Sequence, residues 1–154
     1  MISAIVAVDS DWGIGFNGEL LEHIPDDLKY FKQLTEGHTV IMGTKTWNSL
    51  PFKPLPNRTN IIISTAQPLI MNKRTLRLSI ENVVDYLSYT TDDVFIIGGG
   101  MIYKQLLSMC DKVYVTKIFK NHNQVDTYFP NLDESNVWVS TNQSSLQTYK
   151  DIKY

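Results

Sequence analysis

The chain reads as an α/β domain whose sheet is mainly parallel with an antiparallel C-terminal end. Three observations predict it. Short apolar, β-branched runs alternate with helical patterns, glycines recur where such runs give way to helices, and the tail changes to two alternating segments. At 154 residues the chain fits one domain, able to bury roughly 70% of the surface that its unfolded form exposes. The single cysteine, Cys110, cannot close an intramolecular disulfide, so a reducing compartment, the cytoplasm, is the expected setting. Fourteen basic residues stand against sixteen acidic ones with no basic block, which argues against a nucleic-acid surface and for a small-molecule ligand or protein partner. His23, His38 and His122 stand apart, with no Cys or His at ligand spacing, so no metal site is expected. The opening "MISAIVAV" is apolar only as far as Asp9, and no run approaches the roughly 18 residues of a membrane span, so the expectation is a soluble, unsecreted chain.

Taken in order, residues 2–8, "ISAIVAV", are apolar at nearly every position, as befits a strand buried on both faces in the middle of a sheet. "DSDWGIGFNGELLEH" holds three glycines and no helical period. It reads as a loop of about fifteen residues, long enough to imply function. A helix is predicted from Pro25 to about Glu36, opened by the proline and closed by Gly37. "TVIMG" is a short strand ending in Gly43, and "TKTWNSL" begins a short helix. Turn-rich "PFKPLPNRT" precedes the strand "NIIIS", and "TAQPLIMNKR" is irregular. "LRLS" is a strand, followed by the helix "IENVVDYLS" with Ser79 as its cap. "DVFIIGGGMIYKQLL" repeats the plan of strand, glycines and helix, "DKVYVTKI" is a further strand, and "VWVSTN" and "SLQTYKDIKY" suggest an antiparallel pair. Most parallel connections should be right-handed.

Three constellations can carry chemistry. On the first helix, with Asp27 set at 0°, Leu28, Phe31, Leu34 and Thr35 fall within about 100° of it, while Asp26 lies with Lys29 and Lys32 on the far side. Asp27 therefore sits on the apolar arc and Asp26 in solvent. An inward carboxylate in a first turn either complements the helix terminus and caps backbone donors or binds a ligand; the helix alone leaves both open. The turns in "VIMGTKTW" and "FIIGGGMIY" let backbone approach a ligand and offer N–H groups to phosphates. Because Gly98, Gly99 and Gly100 are consecutive, neither turn is the spaced dinucleotide fingerprint. Both are also compatible with ordinary strand ends. In "PLPNRTN", a rigid turn presents Arg58, a residue suited to bidentate capture of a carboxylate, or simply a solvated loop arginine.

Together these residues resemble dihydrofolate reductases along essentially the full length, with the landmarks "IVAVDSDWGIG", "IPDDLKYFK", "VIMGTKTWNSL", "PLPNRTNIIIS", "FIIGGGMIY", "VYVTKI" and "DTYFP" in the family's order. The resemblance implies a single domain with a central eight-stranded sheet, about four flanking helices and an adenosine-binding subdomain over roughly 39–90. It implies NADPH as cofactor, reduction of dihydrofolate to tetrahydrofolate, a monomer, and binding of antifolate inhibitors. Asp27 would hydrogen-bond the pterin, assisted by Thr116 through a water. Arg58 would hold the carboxylate of the glutamate tail. Ile5, Ala7, Leu28, Phe31, Leu50, Leu55 and Ile97 would line the substrate pocket. Tyr103 would lie near the nicotinamide, with Ala7, Ile14, Ile97 and Ile102 also on the cofactor. Phosphates and ribose would meet Gly43, Thr44, Lys45, Thr46, Ser64, Thr65, Gly99, Gly100 and Met101. Residues 9–24, including Leu20, would form a mobile lid braced by Asp126.

The chain also departs from the pattern. A Pro–Trp pair ordinarily ends the lid; here Leu21 and Glu22 stand there. Glu22 either points inward, forming a coupled carboxylate pair with Asp27, or swings into solvent, and either arrangement predicts weak binding of diaminopyrimidines such as trimethoprim. Thr44 and Met101 replace arginines that usually serve the 2′-phosphate, which leaves that role to Lys45 and Thr65, with Arg77. Val125 replaces a glycine before Asp126. Two rival functions follow: a related-fold reductase of a ribosylamino-pyrimidine, disfavoured by the pairing of Asp27 with Arg58, and a noncatalytic folate- or nucleotide-binding protein.

Overall fold

A computed structural model describes residues 1–66 and 69–154. Strand β1 (Ile2–Val8) is followed by β2 (Gly13–Phe16), β3 (Glu19–Leu20), helix α1 (Pro25–Thr35), β4 (Thr39–Gly43) and α2 (Thr44–Ser49). Then come β5 (Thr59–Ile63), β6 (Ile70–Asn72), β7 (Thr75–Leu78), α3 (Ile80–Tyr89), β8 (Val94–Ile96) and α4 (Gly100–Leu106). The chain closes with β9 (Lys112–Lys117), β10 (Thr127–Tyr128), β11 (Thr148–Tyr149) and β12 (Ile152–Lys153). Among the described residues, seven strands form the main sheet in the order β6-β7-β5-β4-β8-β1-β9. Every neighbouring pair is parallel except β6 with β7.

The alternation of side chains along each strand sorts the core onto two faces. Ala4, Val6 and Val8 of β1 join Ile41, Ile61 and Ile96, covered by Val83 and Leu87 of α3 and Leu106 of α4. Ile5 joins Val40, Met42, Ile62 and Phe95 on the opposite face, covered by Trp47 of α2 and by Phe31 and Leu34 of α1. That second face carries α1, and so Asp27. Ser79 caps α3 as expected, accepting from the Asn82 N–H at 3.2 Å, a contact worth about 1 kcal/mol.

Three expectations need correction. The stretch 9–23 is not simply a loop: β2 and β3 form a hairpin, joined by β10 in a separate three-stranded sheet. Its turn, Asn17-Gly18, has φ of 52° and 79°, which suits the two-residue turn that matches strand twist. Among the described residues the central sheet has seven strands rather than eight, and its antiparallel member is β6, inside the segment read as irregular. Part of that segment, residues 67–68, lies outside the described residues. The C-terminal antiparallel pair, β11 with β12, forms wholly inside "SLQTYKDIKY" and makes its own two-stranded sheet. "VWVSTN" forms no strand; Val137 and Val139 are 78% and 81% exposed, so its alternation meets no core against which one face could be buried. Among the described residues no helix is long and apolar enough to cross a membrane.

Candidate active site

Helix α1 begins with Pro25 at its first turn, and the Ile24 carbonyl accepts from the N–H groups of Asp27 and Leu28. No side chain caps this terminus. The Asp27 carboxylate is committed elsewhere: the Thr116 hydroxyl donates to it at 2.6 Å, directly rather than through the expected water. Thr116 is opposite Ala7 in the pairing of β9 with β1, so the sheet register sets this contact across 89 residues of sequence. Burial pushes the Asp27 carboxyl above its ordinary range, and the Thr116 hydrogen bond offsets only part of that rise. Asp26, its neighbour, is exposed. The Asp27 carboxylate thus caps no backbone donor of α1, while its place in the first turn still complements the helix terminus.

On the core face that carries α1, Phe31, Leu50, Leu55 and Ile97 are partly buried against the Ile5 cluster, while Leu28 stays 46% exposed. Arg58 is buried, not a solvated loop residue. Its Nε donates to the Pro56 carbonyl at 2.9 Å and its Nη1 to the Thr35 hydroxyl at 3.0 Å, with the guanidinium 6.0 Å over the Phe31 ring. Thr35 in turn donates to the Phe31 carbonyl at 2.8 Å. Thr35 is thus a positioning contact for Arg58, and its place on the apolar arc of α1 was the signal for it.

The two glycine turns lie side by side at the carboxyl ends of the adjacent strands β4 and β8. The Gly43 N–H donates to the Gly98 carbonyl at 2.8 Å. A Cβ at Gly43 would stand 3.0 Å from Ile102 Cγ1, and one at Gly100 would stand 2.5 Å from Thr127 Cγ2 and 4.0 Å from Ile14 Cδ1. Only glycine lets these segments approach so closely. Thr46 Oγ1 lies beside Gly99, Lys45 and Thr65 are exposed and Ser64 is half-buried, while the Thr44 hydroxyl donates to the Ile63 carbonyl at 3.2 Å. Met101 is 75% exposed.

Tyr103 is anchored from below the glycine turn. It is 5% exposed, its hydroxyl donates to the Ile5 carbonyl at 2.7 Å, and its ring meets Phe129 edge-on with centroids 4.9 Å apart. Burial pushes its phenol well above the usual range. These contacts fix the ring of Tyr103 beside Gly98 and Ile5.

Glu22 takes neither predicted orientation. Its carboxylate accepts from Lys120 Nζ and faces His122 Nε2, each at 2.9 Å, and its side chain is 19% exposed. Partial burial raises its carboxyl, but the hydrogen bonds from Lys120 and His122 prevail and hold it below the ordinary range. No coupled pair with Asp27 forms. Asp126 touches segment 9–24 as expected, accepting from the Asn17 N–H at 3.0 Å. Leu20 is half exposed and lines a cleft between the hairpin and residues 122–124. His122, Lys120 and Asp9 escaped the sequence reading because their partner is about 100 residues distant.

Glycine turns at the carboxyl ends of the neighbouring parallel strands β4 and β8 define the class as an open-sheet α/β domain, whose ligands bind at strand ends. Comparison with known proteins narrows this. The family model described as dihydrofolate reductase matches residues 1–154. A dihydrofolate reductase of Bacillus subtilis is 41% identical over 99% of this chain and 88% of its own length. One from Staphylococcus aureus is 35% identical over 84% of this chain and 77% of its own. In structure, the chain matches dihydrofolate reductase from Enterococcus faecalis, solved with NADP(H) and RAB-propyl, at a TM-score of 0.74 and 35% identity, covering 84% of this chain and 77% of that one. The chain belongs to the dihydrofolate reductase family.

Proposed function

We propose that the chain reduces 7,8-dihydrofolate to tetrahydrofolate with NADPH, as a monomeric cytoplasmic enzyme. The observation that carries the reading is the Asp27–Thr116 contact of 2.6 Å, set between α1 and the β1–β9 pair. Asp27 is the acceptor for the pterin ring N–H and amino group, and Thr116 holds its carboxylate in place. Its charge favours the protonated form of the pterin, while water supplies the proton that the ring nitrogen takes. Arg58, preset by Pro56 and Thr35, receives the glutamate carboxylate with the N–H groups left to it. Ile5, Ala7, Leu28, Phe31, Leu50, Leu55 and Ile97 form the apolar walls.

The adjoining glycine turns fit a dinucleotide because they lie together at the carboxyl ends of the parallel strands β4 and β8, packed closely enough against Ile102 and Thr127 that a Cβ would crowd them. Gly43, Thr46, Ser64, Gly99 and Gly100 hold phosphate and ribose, and exposed Lys45 with Thr65 takes the 2′-phosphate. Bound NADPH supplies a hydride to the pterin carbon next to the ring nitrogen. The protein's work is orientation and exclusion of water, with Ile14 and Leu20 of segment 9–24 covering the nicotinamide side. Because Glu22 is drawn to Lys120 and His122, no aromatic ring stands at its position, and affinity for trimethoprim is low.

The test compares cofactors and substrates: NADPH consumption with dihydrofolate is expected, with NADH several-fold less efficient and a ribosylamino-pyrimidine inert. Equal efficiency with NADH would overturn the assignment of the 2′-phosphate site, and turnover of the ribosylamino-pyrimidine alone would overturn the substrate.

A further inference from the structure

Glu22 and Asp9 stand near opposite ends of segment 9–24, and one side chain touches both. His122 Nδ1 lies 3.2 Å from Asp9 Oδ2 and its Nε2 lies 2.9 Å from Glu22 Oε1, with the histidine side chain only 12% exposed. Asp9 is 3% exposed and otherwise serves its own turn, accepting from the Asp11 and Gly13 N–H groups at 2.9 and 2.8 Å. The His122 backbone N–H also faces Asp9 Oδ2, at 3.4 Å, and the Ser10 N–H donates to the Lys120 carbonyl at 3.1 Å. Segment 118–126 thus grips the start and the end of segment 9–24 through a single imidazole.

Ionised carboxylates only accept hydrogen bonds, and a neutral imidazole has one donor nitrogen and one acceptor. Both contacts can be hydrogen bonds at once only when both ring nitrogens carry protons. The imidazolium also settles the local charge: two carboxylates, Asp9 and Glu22, against His122 and Lys120. The other charged groups around the cluster are Glu19, which lines the cleft beside His122, and Asp151, which acts on Lys120.

We propose that His122, as an imidazolium, is a positioning residue that clamps both ends of segment 9–24 and so sets the seat of the β2–β3 hairpin. The clamp is separate from the Asn17–Asp126 contact near the hairpin's tip. It is complete while His122 is charged; deprotonation removes one of its two hydrogen bonds and loosens one end of the segment, which keeps the Lys120–Glu22 contact or the backbone contacts of Asp9 and Ser10. Its consequence for turnover rests on the reductase reading; its existence does not.

The test is amide hydrogen exchange of the full chain, read by mass spectrometry at pH about 6 and about 8.5, on either side of the interval in which histidines exchange charge, and corrected for intrinsic rates. Loss of one charge-assisted hydrogen bond makes opening of residues 9–24 about tenfold more populated at the higher pH, with β1 and β4 unchanged. In His122→Gln and in Glu22→Gln, segment 9–24 opens equally at the two pH values. Equal protection of segment 9–24 in the wild type at both pH values would overturn the proposal, as would variants that keep the wild-type pH difference. In parallel, kcat for dihydrofolate should lose a pH inflection in His122→Gln while KM stays unchanged. A pH-dependent exchange result with no dihydrofolate turnover keeps the clamp and refutes the reductase reading.

Discussion

Replacing Thr116 by valine keeps the shape of the side chain and deletes only the hydroxyl that donates to Asp27 at 2.6 Å. Hydrogen bonds to charged groups contribute about 1.5–3 kcal/mol, and the partial burial of Asp27 places this one near the lower end. A loss of about 1.5 kcal/mol corresponds to roughly tenfold in an equilibrium or a transition-state barrier. The bond favours the ionised carboxylate, so its loss raises the Asp27 carboxyl further above its ordinary range. The binding-competent anion is then available only at higher pH. Two effects are expected in Thr116→Val: kcat/KM for dihydrofolate falls by about tenfold near neutrality, and the acid limb of its pH profile moves to higher pH. Thr116→Ser, which keeps the hydroxyl, should retain most of the activity. The assay is initial-rate NADPH consumption from pH 5 to pH 8 with dihydrofolate varied. If valine matches the wild type within about twofold across that range, the hydroxyl does not support Asp27 and the reasoning fails.

Other outcomes follow from the same contacts. Because the folded state holds the Asp27 proton to higher pH than the unfolded chain does, stability falls as pH rises above the ordinary carboxylate value; the full penalty is present above the folded-state value. Asp27→Asn should therefore melt higher than the wild type at neutral pH and converge with it in acid, as thermal denaturation at the two pH values will reveal. Arg58→Leu should raise KM for dihydrofolate by tenfold or more, about the loss of one charge-assisted pair, and should have far less effect on a pterin lacking the glutamate tail. In Glu22→Trp, trimethoprim inhibition should tighten by about tenfold, from the aromatic contact restored; unchanged inhibition would refute the link between Glu22 and drug affinity.

Local signals were the most legible. Pro25, Gly37 and the phase of Asp27 sufficed to draw α1 and to separate Asp27 from Asp26, because helix periodicity is a property of a dozen neighbouring residues. The hairpin β2–β3 was equally local, and Asn17-Gly18 is its signal, outweighed by the lack of regular alternation around the glycines. The tail misled for the converse reason: Val137 and Val139 alternate as in a strand, yet the fold provides no surface to bury them. Distant pairings were out of reach. Nothing in the stretch around Glu22 announces Lys120 or His122, and Thr116 was joined to Asp27 only by the family resemblance, not by any local pattern; the sheet register makes the contact direct. The bond from the Tyr103 hydroxyl to the Ile5 carbonyl, 98 residues away, was equally invisible to local pattern.

The central claim is that this fold reduces dihydrofolate on a pterin anchored by Asp27. Its most direct test is the steady-state rate of NADPH consumption with saturating dihydrofolate near neutral pH, measured for the wild type and for Asp27→Ser. The account predicts brisk turnover in the wild type and a loss of at least about a hundredfold in the serine variant, the scale expected when a transition-state charge partner is removed. A variant that turns over as fast as the wild type, or a wild type that is silent, would contradict it.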